Sequence, residues 1–169
     1  MPSVYFESSV FLAIFNGEKS AESVRLLLSE LRRSRVQIYT SMVTVQEVSV
    51  LSYRRGTVAA DNYSKVSKLA RIQGMTKDIA LTAAKLEAHI LDTVKPKERD
   101  AQMENNRRRK WDCFHIATAM DLHCQTLYSL DNGMLARKDH LTITSMEFCQ
   151  PTPKEPGLDL QPGQEPPIR

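Results

Sequence analysis

Short apolar runs alternate with amphipathic stretches along this chain. Val4-Tyr5-Phe6 is β-branched and aromatic, which predicts a short buried strand. Ser8 and Ser9 offer caps for a helix over Val10 to Phe15, and Asn16-Gly17 ends it. Beyond Glu18, Ala21, Val24, Leu27, Leu28 and Leu31 recur at threes and fours, an amphipathic stripe that closes in Arg32, Arg33 and Arg35. Val36 to Tyr39 predicts a second strand. Ser41 or Thr44 caps the next helix, which runs to Tyr53 and stops at Gly56. Two helical segments follow, roughly Val58 to Arg71 and Lys77 to Thr93, separated by Gly74 and Thr76. In the second, Ile79, Ala83, Leu86 and Ile90 mark the buried face. The stretch from Lys95 to Lys110 is almost devoid of apolar residues and reads as a mobile loop or the solvated start of a helix. Asp112 to His123 is apolar nearly all round, as a central buried helix must be. Thr126 to Leu130 and Leu141 to Thr144 read as strands, with Asp131-Asn132-Gly133 and a short helical turn between them.

Short strands alternating with helices predict an α/β sandwich around a mostly parallel central sheet with flanking helices. At 169 residues the chain suits one domain, placed here over 1–150. Six of the eight prolines fall after Gln150, so 151–169 is expected to be a disordered tail outside the fold. A hydrophobic share of 41% and a charged share of 25% are those of a soluble globular protein. The three cysteines lack C-x-x-C spacing, which suits reduced thiols in a cytosol. The amino terminus carries Glu7, lacks a positive leader segment and is too short to span a bilayer, so a cytoplasmic protein without membrane attachment is expected.

Four acids, Glu7, Glu47, Asp112 and Asp131, stand inside otherwise apolar segments near predicted element ends. Acids beside so much apolar surface are costly unless a cation or several donors compensate them. Each has an ordinary explanation as well. Glu7 suits the first turn of a helix, Thr44-Val-Gln-Glu47 fits a capping box, Asp112 can cap the helix it opens, and Asp131-Asn-Gly can be a turn. In parallel sheets, ligands bind outside the carboxyl ends of the strands, where Glu7 and Asp131 would both lie. Taken together, the four point to a divalent-cation site.

The surroundings of the acids carry a resemblance. Glu7-Ser8-Ser9-Val10 follows strand one, Thr-Val-Gln-Glu47-Val lies in the helix after strand two, Asp112-Cys-Phe-His115-Ile-Ala-Thr118-Ala119 opens a late helix, and Ser129-Leu-Asp131 ends a strand. In this order, over residues 3 to 148, the chain resembles PIN-domain nucleases, above all the VapC-type toxins of toxin–antitoxin pairs. The resemblance implies a PIN-like α/β/α sandwich and Mg²⁺- or Mn²⁺-dependent cleavage of RNA leaving a 5′-phosphate and a 3′-hydroxyl. It implies Glu7, Asp112 and Asp131 as metal ligands, with Glu47 holding a metal water or orienting the nucleophile. Ser9, His115 and Ser129 would support them. An antitoxin partner and a homodimer through the early helices are implied too. One residue departs from the pattern: the family prefers Asp where this chain has Glu7, and Mg²⁺ tolerates little deviation in ligand distance. A catalytically silent PIN fold that binds RNA or protein is therefore the alternative. A phosphoacceptor domain ranks below both, because paired acids after strand one and a late Lys are missing.

Net charge is only +3, but Arg107, Arg108, Arg109 and Lys110 run directly into Trp111-Asp112. That run reads as either a solvated face or a contact for RNA backbone. His115, His123, Cys113 and Cys124 show no zinc spacing.

Overall fold

The computed structural model describes residues 2–56, 60–93, 103–141 and 146–152, with the side chains of 103–108 outside that description. The elements in chain order are β1 (Ser3–Phe6), α1 (Ser8–Asn16), α2 (Ala21–Arg33), β2 (Gln37–Ser41), α3 (Met42–Arg54), α4 (Ala60–Ser67), β3 (Arg71–Gln73), α5 (Lys77–Thr93), α6 (Met103–Asp121), β4 (Thr126–Tyr128), α7 (Asn132–His140) and β5 (Glu147–Cys149). All five strands run parallel in the order β3-β2-β1-β4-β5. Helices cover both faces, as parallel connections require.

Alternation along β1 divides the core in two. Val4 and Phe6 point to one face, where they pack with Val10, Phe11, Val24, Leu28 and Ile38. Tyr5 points to the other, among Ile79, Leu86, Ile90, Ile116 and Leu127. A strand buried on both faces must be largely apolar, and the Tyr5 hydroxyl within it has its partner in His115. The second core is where α5 and α6 lie against the sheet.

The structure revises several sequence expectations. The cap of α1 is Glu7, whose carboxylate accepts the Ser9 amide at 3.0 Å; Ser8 and Ser9 are inside the helix. Thr44 and Glu47 do not form a capping box. The helix begins at Met42, so both are interior positions, and the helix start at Ser41 has no side-chain cap. The helix expected to reach Arg71 ends at Ser67, and Arg71–Gln73 is instead the edge strand β3. The last strand is Glu147–Cys149; Leu141 is buried at the end of α7, and residues 142–144 lie outside the described residues. Residues 153–169 of the expected tail also lie outside them, as does much of 95–110, although 103–110 belong to α6. Among the described residues, no helix is long and apolar enough to cross a membrane.

Candidate metal centre

Strand order sets the location. The chain leaves β1 toward β2 on one side and returns to β1 through β4 on the other. The carboxyl ends of β1 and β4 therefore flank a topological switch point, where loops diverge and leave a crevice. Glu7 follows β1 there, and Ser129 to Asp131 follow β4.

Glu7 is 8% exposed and firmly held. Its Oε2 accepts from the Ser9 amide at 3.0 Å, from the Ser129 hydroxyl at 3.0 Å, and from the Ser9 hydroxyl. Three donors on one oxygen fix the carboxylate's orientation and leave Oε1 4.0 Å from His115 Nε2. The two serines are themselves anchored. Ser9 Oγ accepts the Leu130 amide at 2.8 Å, and Ser129 Oγ accepts the Asp131 amide at 3.0 Å. The ends of β1 and β4 are thus stitched together through the carboxylate they present.

Glu47 reaches the same place from α3. Its Oε2 accepts from His115 Nε2 at 3.0 Å and from the Ser8 hydroxyl. Burial pushes this carboxyl up, but the hydrogen bond and charge of His115, with Ser8, hold it below its usual value. His115 is fully buried, and its Nδ1 lies 2.7 Å from the Tyr5 hydroxyl. Burial disfavours the imidazolium, yet the Glu47 bond and the charges of Glu7, Glu47 and Asp112 win and raise its pKa. Burial pushes the Tyr5 phenol up, so it stays protonated. Ligand atoms of Glu7, Glu47 and His115 all lie within 4.8 Å of one another.

Asp112 and Asp131 stand outside that trio. Asp112 is on α6, one turn before His115, and its Oδ2 accepts from Arg137 Nε on α7 at 3.1 Å. Burial outweighs Arg137 and His115, and with Asp131 nearby the carboxyl is pushed up to about 6. Asp131 caps α7, accepting the Gly133 amide at 2.7 Å. A Cβ at Gly133 would come 3.0 Å from Asp131 Oδ1, so a larger residue there would press on this carboxylate where it turns back on its helix.

The basic run divides. Lys110 is exposed, and Arg107 and Arg108 have side chains outside the described residues. Arg109 does not belong to a solvated basic face: it is 6% exposed and faces Glu87 at 3.8 Å. Helical phase explains this, since Cys113 and Ala117, each a turn further along, are also buried. Sequence reasoning missed Arg137 and Tyr5. The signal for Tyr5 was a hydroxyl on a strand buried on both faces, which demands a partner. Arg137 gave none, because its importance comes from the turn that brings α7 beside α6.

The PIN domain family's sequence model matches residues 4–141. The chain belongs to the PIN domain family. Its fold is shared with VapC20 of Mycobacterium tuberculosis, a sarcin-ricin loop cleaving toxin, at 15% identity and a TM-score of 0.57 over 85% of this chain and 98% of that one. A toxin–antitoxin complex from Klebsiella pneumoniae matches at 18% identity and TM-score 0.55, over 88% of this chain and 97% of that one. VapBC2 of Rickettsia felis, bound to a DNA fragment from its promoter, matches at 12% identity and TM-score 0.59, over 88% and 98%. No curated protein sequence matches.

The donor set fits a hard divalent cation. Glu7 and Glu47 share His115, Asp112 has Arg137, and at Asp112 burial still outweighs the positive charge nearby. Oxygen donors in excess of local positive charge are what Mg²⁺ and Mn²⁺ require.

Proposed function

We propose that this protein is a divalent-cation-dependent ribonuclease of the toxin kind, hydrolysing RNA phosphodiester bonds at the crevice beside β1 and β4. The observation that carries the reading is the meeting of Glu7, Glu47 and His115 at the carboxyl end of the central strand, with Asp112 near enough to His115 and Asp131 to feel both charges. Glu7, Asp112 and Asp131 would hold Mg²⁺ or Mn²⁺, which when bound polarises a phosphate and acidifies a water. The protein's own residues do the rest. Ser9 and Ser129 keep the Glu7 carboxylate aimed. His115 donates from Nε2 to Glu47 and so places that carboxylate, with its remaining oxygen free to orient an attacking water. Tyr5 fixes the imidazole from the far side. Arg107, Arg108 and Lys110 remain candidates for RNA backbone contact; Arg109 does not.

Glu7 in place of Asp is compatible with this role. The longer side chain caps α1 and still reaches Ser129, so the extra methylene is taken up by the turn. A cognate antitoxin, a homodimer and a cytoplasmic location complete the reading. Incubating the purified protein with Mn²⁺ and structured or single-stranded RNA tests it. Cleavage to 5′-phosphate ends, abolished by EDTA and by Asp112→Asn in a folded variant, is the expected result. A preparation that binds Mn²⁺ but cuts none of a broad RNA panel would count against it.

One observation favours a second reading, a silent PIN fold that binds RNA or protein. His115 already supplies positive charge between Glu7 and Glu47, so those two acids are compensated without a metal. RNA binding that survives EDTA and Asp112→Asn, without turnover, would select it.

A further inference from the structure

Arg137 touches Asp112 in an unusual way. A guanidinium that only buttresses a carboxylate commonly engages it through two parallel N–H bonds. Arg137 instead uses Nε alone, at 3.1 Å. Among the described residues, its two terminal nitrogens have no hydrogen-bond partner. The Arg137 side chain is 20% exposed, against 13% for Asp112, so the guanidinium side of the pair is the more open to solvent. Arg137 also sits on the helix that Asp131 caps, which ties its position to the end of β4.

We infer that Arg137 is a ligand for an RNA phosphate, held on Asp112 until a divalent cation takes that carboxylate. This rests on the proposed ribonuclease reading. The pair is one N–H bond to one carboxylate oxygen, so a doubly charged ion that binds the carboxylate displaces a single monodentate guanidinium contact. The fork that is released has the planar, multi-donor geometry that suits phosphate oxygens. It stands beside the carboxylate that carries the cation. Charge there is thereby kept near balance in both states: Arg137 neutralises an acid without RNA and a phosphate with it.

The test uses the full chain with Arg137→Gln and Arg137→Lys, each checked for an unchanged circular dichroism spectrum. Mn²⁺ binding is measured by titration calorimetry. Affinity for a fluorescein-labelled single-stranded RNA is measured by anisotropy across a salt series, with Ca²⁺ in place of Mn²⁺. Arg137→Gln should bind Mn²⁺ about tenfold more tightly, the effect of removing one unit charge roughly 6 Å from a divalent ion at near-water dielectric. The same variant should bind RNA more weakly, with a salt slope reduced by about one. Arg137→Lys should keep the slope. Weaker or unchanged Mn²⁺ binding in Arg137→Gln would assign Arg137 to holding Asp112 in place and overturn the inference, and so would an unaltered RNA slope. Wild-type protein that binds no Mn²⁺ would instead remove the metal centre itself, and this inference with it.

Discussion

Replacing Asp112 by Asn should stabilise the metal-free protein, and the gain should depend on pH in a defined way. The carboxyl is largely buried with one ion pair, and burial pushes it from 3.8 up to about 6. A shift of that size corresponds to about 3 kcal/mol of penalty for the ionised form. The pair with Arg137 is already counted in it, and the side chain is only 13% exposed, so little solvent screening applies. The sign follows from where the proton is held. Below the unfolded value both states are protonated and there is no penalty. Between roughly 4 and 6 the folded protein keeps a proton that the unfolded chain loses, so stability falls as pH rises through this window. Above it the full penalty persists. Asn preserves the shape without the charge. In EDTA at pH 8, thermal or urea denaturation should therefore show Asp112→Asn more stable by about 2–3 kcal/mol, or roughly 5–10 °C in Tm. Below pH 4 the difference should vanish. Mn²⁺ should raise the wild-type Tm and leave that of the variant nearly unchanged. A variant less stable than wild type at pH 8, or an advantage that does not change with pH, would refute the electrostatic account of this residue.

Three further substitutions probe the scaffold. Tyr5→Phe removes the hydroxyl beside His115 Nδ1 and should cost about 1–2 kcal/mol in urea melts, with no change in Mn²⁺ stoichiometry; a neutral effect would mean the imidazole does not need that partner. Ser129→Ala deletes one donor to Glu7 and the acceptor for the Asp131 amide. It should lower Mn²⁺ affinity about tenfold by calorimetry, in the range seen when a residue supporting a metal ligand is lost, and unchanged affinity would separate this hydroxyl from the site. Gly133→Ala pushes a methyl against Asp131 Oδ1 and should weaken Mn²⁺ binding while leaving Tm within a few degrees; equal affinity would show that Asp131 is not a ligand.

Much of the fold was legible because its elements carry strong periodicity. The stripe from Ala21 to Leu31 and the apolar helix around His115 came out where expected, and so did the buried strand Val4 to Phe6. What failed was short or depended on tertiary contact. The edge strand Arg71–Gln73 has three residues, one of them exposed, and no alternation to mark it. All four acids stand out in the sequence, yet the contacts each one makes do not. Glu47 looked like a capping box because Thr44 precedes it by three, but the helix starts two residues earlier, at Met42, and turns Glu47 inward to His115. The resemblance put His115 among the supporting residues; that its partners are Glu47 and Tyr5 follows only from packing α6 against β1 and α3. Arg109 shows the opposite failure, since a run of basic residues hides the helical phase that buries one of them.

Glu7 was the doubtful member in the sequence, and the structure gives it the most hydrogen-bond support of the four. Ser9 and Ser129 hold its carboxylate in place at the switch point of the sheet, where the proposed reading puts the cation. Crystals soaked in Mn²⁺ and measured for anomalous scattering test that most directly. The account predicts one strong peak within about 2.0–2.3 Å of carboxylate oxygens of Glu7 and Asp112, with Asp131 direct or one water away. A crevice without a peak at millimolar Mn²⁺, with His115 still bridging Glu7 and Glu47, would contradict it.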